Sequence, residues 1–324
     1  MSRVARGRVL VTGATGFIGR ALVRDLAGAG FEVVALTRGA GLGGDRLPRG
    51  VAAARWDGRT DAGWGRLADG ALAIVNLAGD NLAEGRWTRA KKERILGSRT
   101  GAGAAVVAAV RAARARPRVL VQASAVGAYG NAGDAELDEG SPRGAGFLAE
   151  VVRAWEGSTE EIERFGVRRA VARSGLVLGA DGGVWPRLLR PFRLFAGGPL
   201  GSGRQWFPWI ALEDEVRALR FLLETEELSG VFNLTAPAPL RQVDLCREIG
   251  RSLRRPCWLP VPAPLLRLVF GEKAGETLLA GQRALPRRLQ AAGFEFRFPD
   301  PAAAVRALLR LGSRAGSRGV WSSR

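Results

Sequence analysis

The chain has 324 residues, 47% of them hydrophobic and 25% charged, enough for one large domain or two interleaved ones around a sizeable core. It contains no histidine, which excludes Ser-His-Asp and Cys-His mechanisms and histidine-ligated metals, and one tyrosine, Tyr129, to which any tyrosine acid chemistry is confined. The formal charge of +18 invites a nucleic-acid reading, but only three of the 49 basic residues are lysine and the arginines are scattered through every segment, so a solvated surface is expected and nucleic acid is not counted as a partner.

Arg8 to Thr12 reads as a buried strand, and Phe17 to Ala27 as a helix with apolar residues at helical spacing. Between them, Gly13, Gly16 and Gly19 permit a tight turn, close approach of a pyrophosphate and packing of the helix on the sheet, while the helix N-terminus supplies amides and a positive dipole. A glycine triplet alone is weak; one placed between a strand and a helix predicts dinucleotide binding. The second strand, Glu32 to Arg38, ends Leu36-Thr37-Arg38. An NAD site places an acid about 20 residues beyond the glycines, and none stands here. A small hydroxyl followed by arginine suits a 2′-phosphate instead, which favours NADP(H).

Residues 40–50 read as a mobile glycine-rich loop, and Val51 to Trp56 as a short third strand with Asp57 at its end, where an adenine amino group is met. Ala71 to Gly79 is the fourth strand, its end, Asn76-Leu77-Ala78-Gly79, passing beside the cofactor at the carboxyl edge of the sheet. Trp87 to Arg116 is a long helix expected to kink at Gly97 and Gly101-Gly103 and stopped by Pro117. Arg118 to Ser124 is the fifth strand, Ala125 to Pro142 a polar loop over the site, Phe147 to Phe165 a helix, and Val167 to Leu178 the sixth strand. This alternation predicts an α/β Rossmann fold, a doubly wound parallel sheet.

Beyond it, a helix over 212–227 precedes a strand at 231–235 read as one more strand of the sheet, and helices over 241–253 and 264–281, separated by prolines, predict a smaller, mainly helical C-terminal lobe. The expected division is a cofactor domain of residues 1–178 that also receives 207–236, a substrate lobe of 179–206 and 237–311, and a disordered Ser/Gly/Arg-rich tail, 312–324. No apolar run approaches the ~20 residues of a membrane span, and no secretory leader is expected, Met1-Ser2-Arg3 leading straight toward the first strand. Cys246 and Cys257 offer no disulfide framework, so a reducing cytoplasm is expected, with no membrane or metal partner.

Thr12-Gly13-Ala14-Thr15-Gly16-Phe17-Ile18-Gly19 resembles the TGxxGxxG fingerprint of the extended short-chain dehydrogenase/reductases. Three further stretches narrow the match: Asn76-Leu77-Ala78-Gly79-Asp80-Asn81 with Arg86-Trp87 and Ser98-Arg99; Gly197 to Gly203 with Phe207-Pro208-Trp209-Ile210; and Gly281 to Leu289 with Gly293-Phe294. Together, over about residues 8 to 310, they resemble the atypical group of "epimerase family proteins", whose C-terminal segment is a domain of unknown function. The resemblance implies NADP(H) and no particular substrate. In the wider superfamily a serine ending the fifth strand works with a Tyr-x-x-x-Lys helix. Ser124 fits the serine, but Phe147 and Val151 stand where the pair is expected, as in the atypical group.

The cofactor site is therefore expected to draw on Thr12, Gly13, Thr15, Gly16, Phe17, Ile18, Gly19, Thr37, Arg38, Asp57, Asn76, Leu77, Ala78, Gly79, Arg99 and Ser124. Ser124 and Tyr129 are the candidate catalytic residues, with Asp80, Glu84, Asp134 and Glu150 as other candidate acids. Arg204, Gln205 and Trp209 are expected to meet a small-molecule, anionic substrate, the aromatic knot around Trp206 and Phe207 having an ordinary core as its plainer reading. Two readings stay open: an NADP(H)-dependent oxidoreductase or epimerase, monomeric or homodimeric, acting on a carbonyl or sugar-like substrate, and a non-catalytic NADP(H)-binding sensor or interaction protein.

Overall fold

An unbroken apolar run such as Val9-Leu10-Val11, between Arg8 and Thr12, belongs inside a sheet covered on both faces, and that is where it lies. In the computed structural model, which describes residues 6–39 and 47–318 with side chains through residue 312, Val9, Leu10 and Val11 are wholly buried. The chain runs β1 (Arg8–Thr12), α1 (Phe17–Gly28), β2 (Glu32–Thr37), β3 (Ala52–Arg55), β4 (Ala73–Asn76), α2 (Arg89–Ala112) and β5 (Val119–Ala125). It continues through β6 (Glu136–Leu137), α3 (Phe147–Gly157), β7 (Arg168–Ser174), β8 (Leu176–Gly179), β9 (Gly182–Gly183) and α4 (Trp185–Arg193). There follow β10 (Trp206–Phe207), β11 (Trp209–Ala211), α5 (Leu212–Glu224), β12 (Gly230–Leu234), β13 (Leu240–Arg241) and α6 (Gln242–Leu253). The chain ends with α7 (Ala263–Phe270), β14 (Arg283–Ala284), α8 (Arg287–Ala291) and α9 (Pro301–Arg318).

Seven strands form one sheet in the order β12-β7-β5-β4-β1-β2-β3, the doubly wound Rossmann arrangement with its reversal at β1 and β4. Thr12 lies level with Asn76, and Asn76 with Gln122, across three parallel neighbours. The chain divides into two compact units. The first comprises residues 1–128, 147–173 and 216–232; the second comprises 129–146, 174–215 and 233–324. Of the residues expected in the cofactor domain, 129–146, 174–178, 207–215 and 233–236 group with the second unit. The first unit's core gathers Leu10, Leu36, Trp64, Ile74, Val106 and Leu120. The second unit has its own core, with Trp185, Phe192, Trp209, Leu245, Ile249 and Val305.

Three further expectations need correction. Helix α2 is continuous through its glycines: a Cβ on Gly103 would lie 1.9 Å from Ser158 Oγ, so this glycine serves close packing rather than a kink. The sixth strand is two strands, because the chain leaves the main sheet at Gly175 and β8 pairs with β11 instead. A Cβ on Gly175 would meet the Pro208 carbonyl oxygen at 2.4 Å. Helix α9 continues through Arg318, so residues 312–318 are helical; 319–324, like residues 40–46 of the predicted loop, lie outside the described residues.

Arg168 ties α5 to β7. Its Nη1 donates to the Leu222 and Leu228 carbonyls at 2.9 and 2.5 Å, and its Nη2 to Leu223 at 2.9 Å, closing carbonyls that a helix end leaves open. Arg168→Met, which keeps the stem but removes the donors, is expected to cost about 2–3 kcal/mol in urea unfolding; a loss under about 0.5 kcal/mol would show those carbonyls to be adequately hydrated without it.

Candidate functional site

The glycine turn takes its shape from atoms that leave no room for side chains. Gly13 has φ +64°, a left-handed conformation favouring glycine, and a Cβ there would lie 2.8 Å from the Leu77 carbonyl oxygen. A Cβ on Gly19 would lie 2.2 Å from the Gly13 carbonyl oxygen. Gly16 caps α1 and donates to Gly13 O at 2.9 Å, but no side chain caps the first-turn amides and no acid lies in that turn. These amides are open to an anion. Among the described residues no group bonds to the Thr15 hydroxyl.

A buried polar ladder supports the turn. Thr12 Oγ1 donates to Asn76 Oδ1 at 2.6 Å and accepts from the Leu77 and Ala78 amides at 3.0 and 3.2 Å. Asn76 Nδ2 donates to Gln122 Oε1 at 2.9 Å, and Gln122 Nε2 to the Ala123 carbonyl at 2.8 Å. Thr12 and Asn76, expected at the cofactor, thus have their side chains engaged with each other; they fix the backbone of Leu77 and Ala78. Gln122, which sequence reasoning missed, completes the ladder, and its signal was a polar residue inside an otherwise apolar strand.

Arg38 is exposed at the end of β2 and makes no hydrogen bond or ion pair to any described residue. A Cβ on Gly58 would touch its Cδ at 3.3 Å, which places Arg38 beside the turn that follows β3. Thr37 is buried and accepts from the Gly39 amide at 3.3 Å. Asp57 accepts from the Arg59 and Thr60 amides at 2.7 and 2.8 Å, and these bonds hold its carboxyl below the usual range. Arg99 is buried over the Trp155 ring, its Nη1 donating to the Asp80 and Ile95 carbonyls. Burial draws its guanidinium down to about 10, against the opposite pull of Asp80. Among the described residues no carboxylate forms an ion pair with it, and a Cβ on Gly79 would lie 3.0 Å from its Cζ. A turn bare of side chains at Gly13, Gly16 and Gly19, two guanidinium groups without an ion pair among the described residues, and open helix amides fit a phosphate-bearing dinucleotide.

The candidate catalytic groups are differently placed. Ser124 is buried and donates to Glu156 Oε1 at 2.5 Å, and Arg173 grips the same carboxylate through Nε at 2.8 Å and Nη2 at 3.0 Å. The serine proton therefore serves a buried ion pair, not a ligand. Glu156 and Arg173 were missed by sequence reasoning, since nothing in a lone Glu and a lone Arg on different elements marks them as partners. On the helix, Phe147, Leu148 and Val151 pack with Trp87 and Ile95. Phe147 and Val151, where the Tyr and Lys were expected, are apolar; the Phe147 ring meets Trp87 edge-on at 5.2 Å and lies under Lys92 Nζ.

In the second unit Tyr129 is buried and donates to Asn233 Oδ1 at 2.7 Å, while Asn233 Nδ2 donates to the Leu285 carbonyl. Gln205, expected at the substrate, spends its amide on the Leu200 and Leu278 carbonyls. Trp209 is core, 1% exposed, with its indole N–H on the Ala238 carbonyl. Arg204 remains exposed and without an ion pair among the described residues. Two candidate acids are held ionised. For Asp80 burial pushes upward, but the hydrogen bond and charge of Lys91, 2.8 Å away, outweigh it. Asp134 is lowered by hydrogen bonds from Trp206 and Arg241. Among the described residues no three His, Cys, Asp or Glu side chains gather as a metal site.

Family models match almost the whole of this framework. The NAD dependent epimerase/dehydratase model spans residues 9–235, and a domain of unknown function, DUF1731, spans 261–308. The chain belongs to the NAD-dependent epimerase/dehydratase family. It is 41% identical to the Arabidopsis thaliana epimerase family protein SDR39U1 homolog, chloroplastic, over 93% of this chain and 86% of that protein. It is 35% identical to human epimerase family protein SDR39U1 over 93% and 99%. A crystal structure of human SDR39U1 with NADPH matches with TM-score 0.83 and 34% identity, covering 94% of this chain and 99% of that one. The Thermus thermophilus UDP-glucose 4-epimerase with NAD shares the fold at TM-score 0.74 and 19% identity over 95% and 99%.

One buried acid stands apart. Glu215 is 1% exposed; its Oε1 accepts from Ser174 at 2.6 Å and its Oε2 has no partner among the described residues. Burial pushes its carboxyl up from 4.5 to about 8, against the Ser174 hydrogen bond. Because the folded state holds this proton more tightly than the unfolded one, the contribution is fully present below pH 4.5 and is lost as pH rises toward 8, by about 1.4 kcal/mol per unit within that window. Glu215→Gln should flatten this dependence in denaturant unfolding measured from pH 5 to 8. A parent and variant with parallel profiles would show that Glu215 stays ionised when folded.

Proposed function

We propose that the chain binds NADP(H) and uses it as an oxidoreductase or epimerase on a carbonyl or sugar-like substrate, in a reducing compartment such as the cytoplasm. The observation that carries the cofactor assignment is the unpaired Arg38 beyond the glycine turn. The first-turn amides of α1 and Gly13, Gly16 and Gly19 receive the pyrophosphate, with the Thr15 hydroxyl beside it. Arg38 receives the 2′-phosphate, with a guanidinium fork matched to phosphate geometry. Asp57 accepts from the adenine amino group, and Leu77, Ala78 and Gly79 flank the ribose over Arg99. NADP(H) supplies hydride exchange when bound, and the protein supplies placement. Support for this reading includes the human relative whose crystal structure contains NADPH.

One set of observations favours a second reading, a protein that binds NADP(H) without turnover as a sensor or interaction partner. Phe147 and Val151 offer no proton, and the Ser124 and Tyr129 protons are already donated. If the chain is an enzyme, its proton passes through another group or solvent. Turnover of NADPH with any member of a carbonyl and nucleotide-sugar panel selects the enzyme; tight binding without turnover, together with activity gained on installing Phe147→Tyr and Val151→Lys, selects the sensor.

Calorimetric titration tests the cofactor assignment. NADPH is expected to bind at least about tenfold more tightly than NADH, and Arg38→Ala to lose about 10- to 100-fold for NADPH with little change for NADH. Equal affinities for the two cofactors in the parent protein would overturn the assignment of Arg38.

A further inference from the structure

The second unit carries a basic hollow, wide open to solvent, that the cofactor reading does not use. The C-terminal half of α6 and the segment after it border about 360 Å³, lined by Arg247, Gly250, Arg251, Arg254, Arg255 and Cys257. Arg247 pairs with Asp244 at 3.2 Å and Arg251 with Glu248 at 3.6 Å. The Arg254 side chain has no hydrogen bond or ion pair among the described residues, and Arg255 rests on the Phe195 ring, 4.0 Å from its centroid. The lining thus holds four arginines, two of which are paired with carboxylates.

Beside this hollow large apolar side chains are exposed: Leu194 by 68%, Phe195 by 53%, Trp258 by 65% and Leu259 by 46%. They come from two segments fastened together. Trp258 Nε1 donates to the Phe195 carbonyl at 3.0 Å, and the Trp258 and Leu259 amides donate to the Gly197 carbonyl at 3.0 and 3.1 Å. Phe195 also has φ +59°, a left-handed conformation that costs a bulky residue of order 1–3 kcal/mol. The fold therefore holds an aromatic ring against solvent at an energetic cost.

We propose that this face docks peripherally on an anionic phospholipid bilayer. Headgroup phosphates meet the arginines, and Leu194, Phe195, Trp258 and Leu259 enter the boundary between headgroups and acyl chains. Aromatic and leucine side chains rimmed by arginine suit that boundary, where apolar burial and attraction to anionic lipid act together. A second copy is a poorer occupant, since an isologous contact would set these arginines against themselves. Nucleic acid would use the cations and the rings but has no use for two exposed leucines. No helix among the described residues is long and apolar enough to cross a membrane, so docking here is at the surface.

Co-sedimentation of the full chain with vesicles tests the proposal. The protein should pellet with vesicles of mixed phosphatidylglycerol and phosphatidylcholine, remain in solution with phosphatidylcholine alone, and be released by salt. Phe195→Gly removes the ring while relieving the left-handed strain, so it should keep its thermal midpoint yet bind these vesicles about tenfold more weakly. Arg254→Glu should weaken binding to a similar degree with an unchanged circular dichroism spectrum. The proposal is overturned by equal binding to neutral vesicles, or by unchanged binding in both folded variants. A dimer abolished by the same substitutions, or DNA binding without vesicle binding, would equally overturn it.

Discussion

Helix α1 can sit where it does only because Gly19 has no side chain. The Gly13 carbonyl oxygen occupies the place a Cβ would take, at 2.2 Å. From that contact follow the tight turn out of β1, the open amides at the start of α1, and the left-handed Gly13 lying against the Leu77 backbone. The Thr12–Asn76–Gln122 ladder then fixes β1, β4 and β5 at one level. Such a ladder inside a dry sheet is tolerable because its members satisfy one another; an unpaired member would carry a desolvation cost of about 1–3 kcal/mol. The backbone edge presented to a dinucleotide is thus built from buried amides and hydroxyls whose own side chains are engaged elsewhere.

The same accounting separates binding from chemistry. A hydroxyl has one proton, and those of Ser124 and Tyr129 are committed to a buried carboxylate and a buried amide oxygen. Breaking the Ser124 bond would leave the Glu156–Arg173 pair short of a donor at a site 2–3% exposed, where lost partners are costly. Arg38 and the α1 amides, by contrast, have no such prior engagement. Cofactor placement and proton transfer are therefore independent properties of this sheet edge.

The parts of the fold legible in the sequence are those encoded by local pattern. The buried strands, α1 and the glycine turn announce themselves through apolar periodicity and glycine spacing, and the doubly wound order follows from alternation. Where two distant segments meet, local pattern fails. Gly103 resembles a helix breaker until Ser158 is found against it, and Gly175 resembles a mid-strand residue until the Pro208 carbonyl is found there. Ser124 fits a catalytic position by its place at a strand end, but its partner lies 32 residues away on α3. Trp209 and Gln205 read as ligand residues because aromatic and amide groups serve either purpose; burial places Trp209 in the core, and hydrogen bonds tie the Gln205 amide to two carbonyls.

Arginine shows how far composition can inform function. A count of 49 basic residues says nothing about roles, because surroundings set them. Arg173 is buried and forked on a carboxylate, so its charge is internally neutralised. Arg168 is spent on three carbonyls and acts as a helix-end clamp. Arg99 is buried over an indole without a carboxylate partner, a state that leaves it drawn toward any anion within reach. Arg38 and Arg254 are solvated and unpaired, so each gains an ion pair without first losing one. Among the described residues a diffuse positive field thus resolves into a few sites where cation and partner are mismatched, and those sites, rather than the net charge, carry the proposals made for anions.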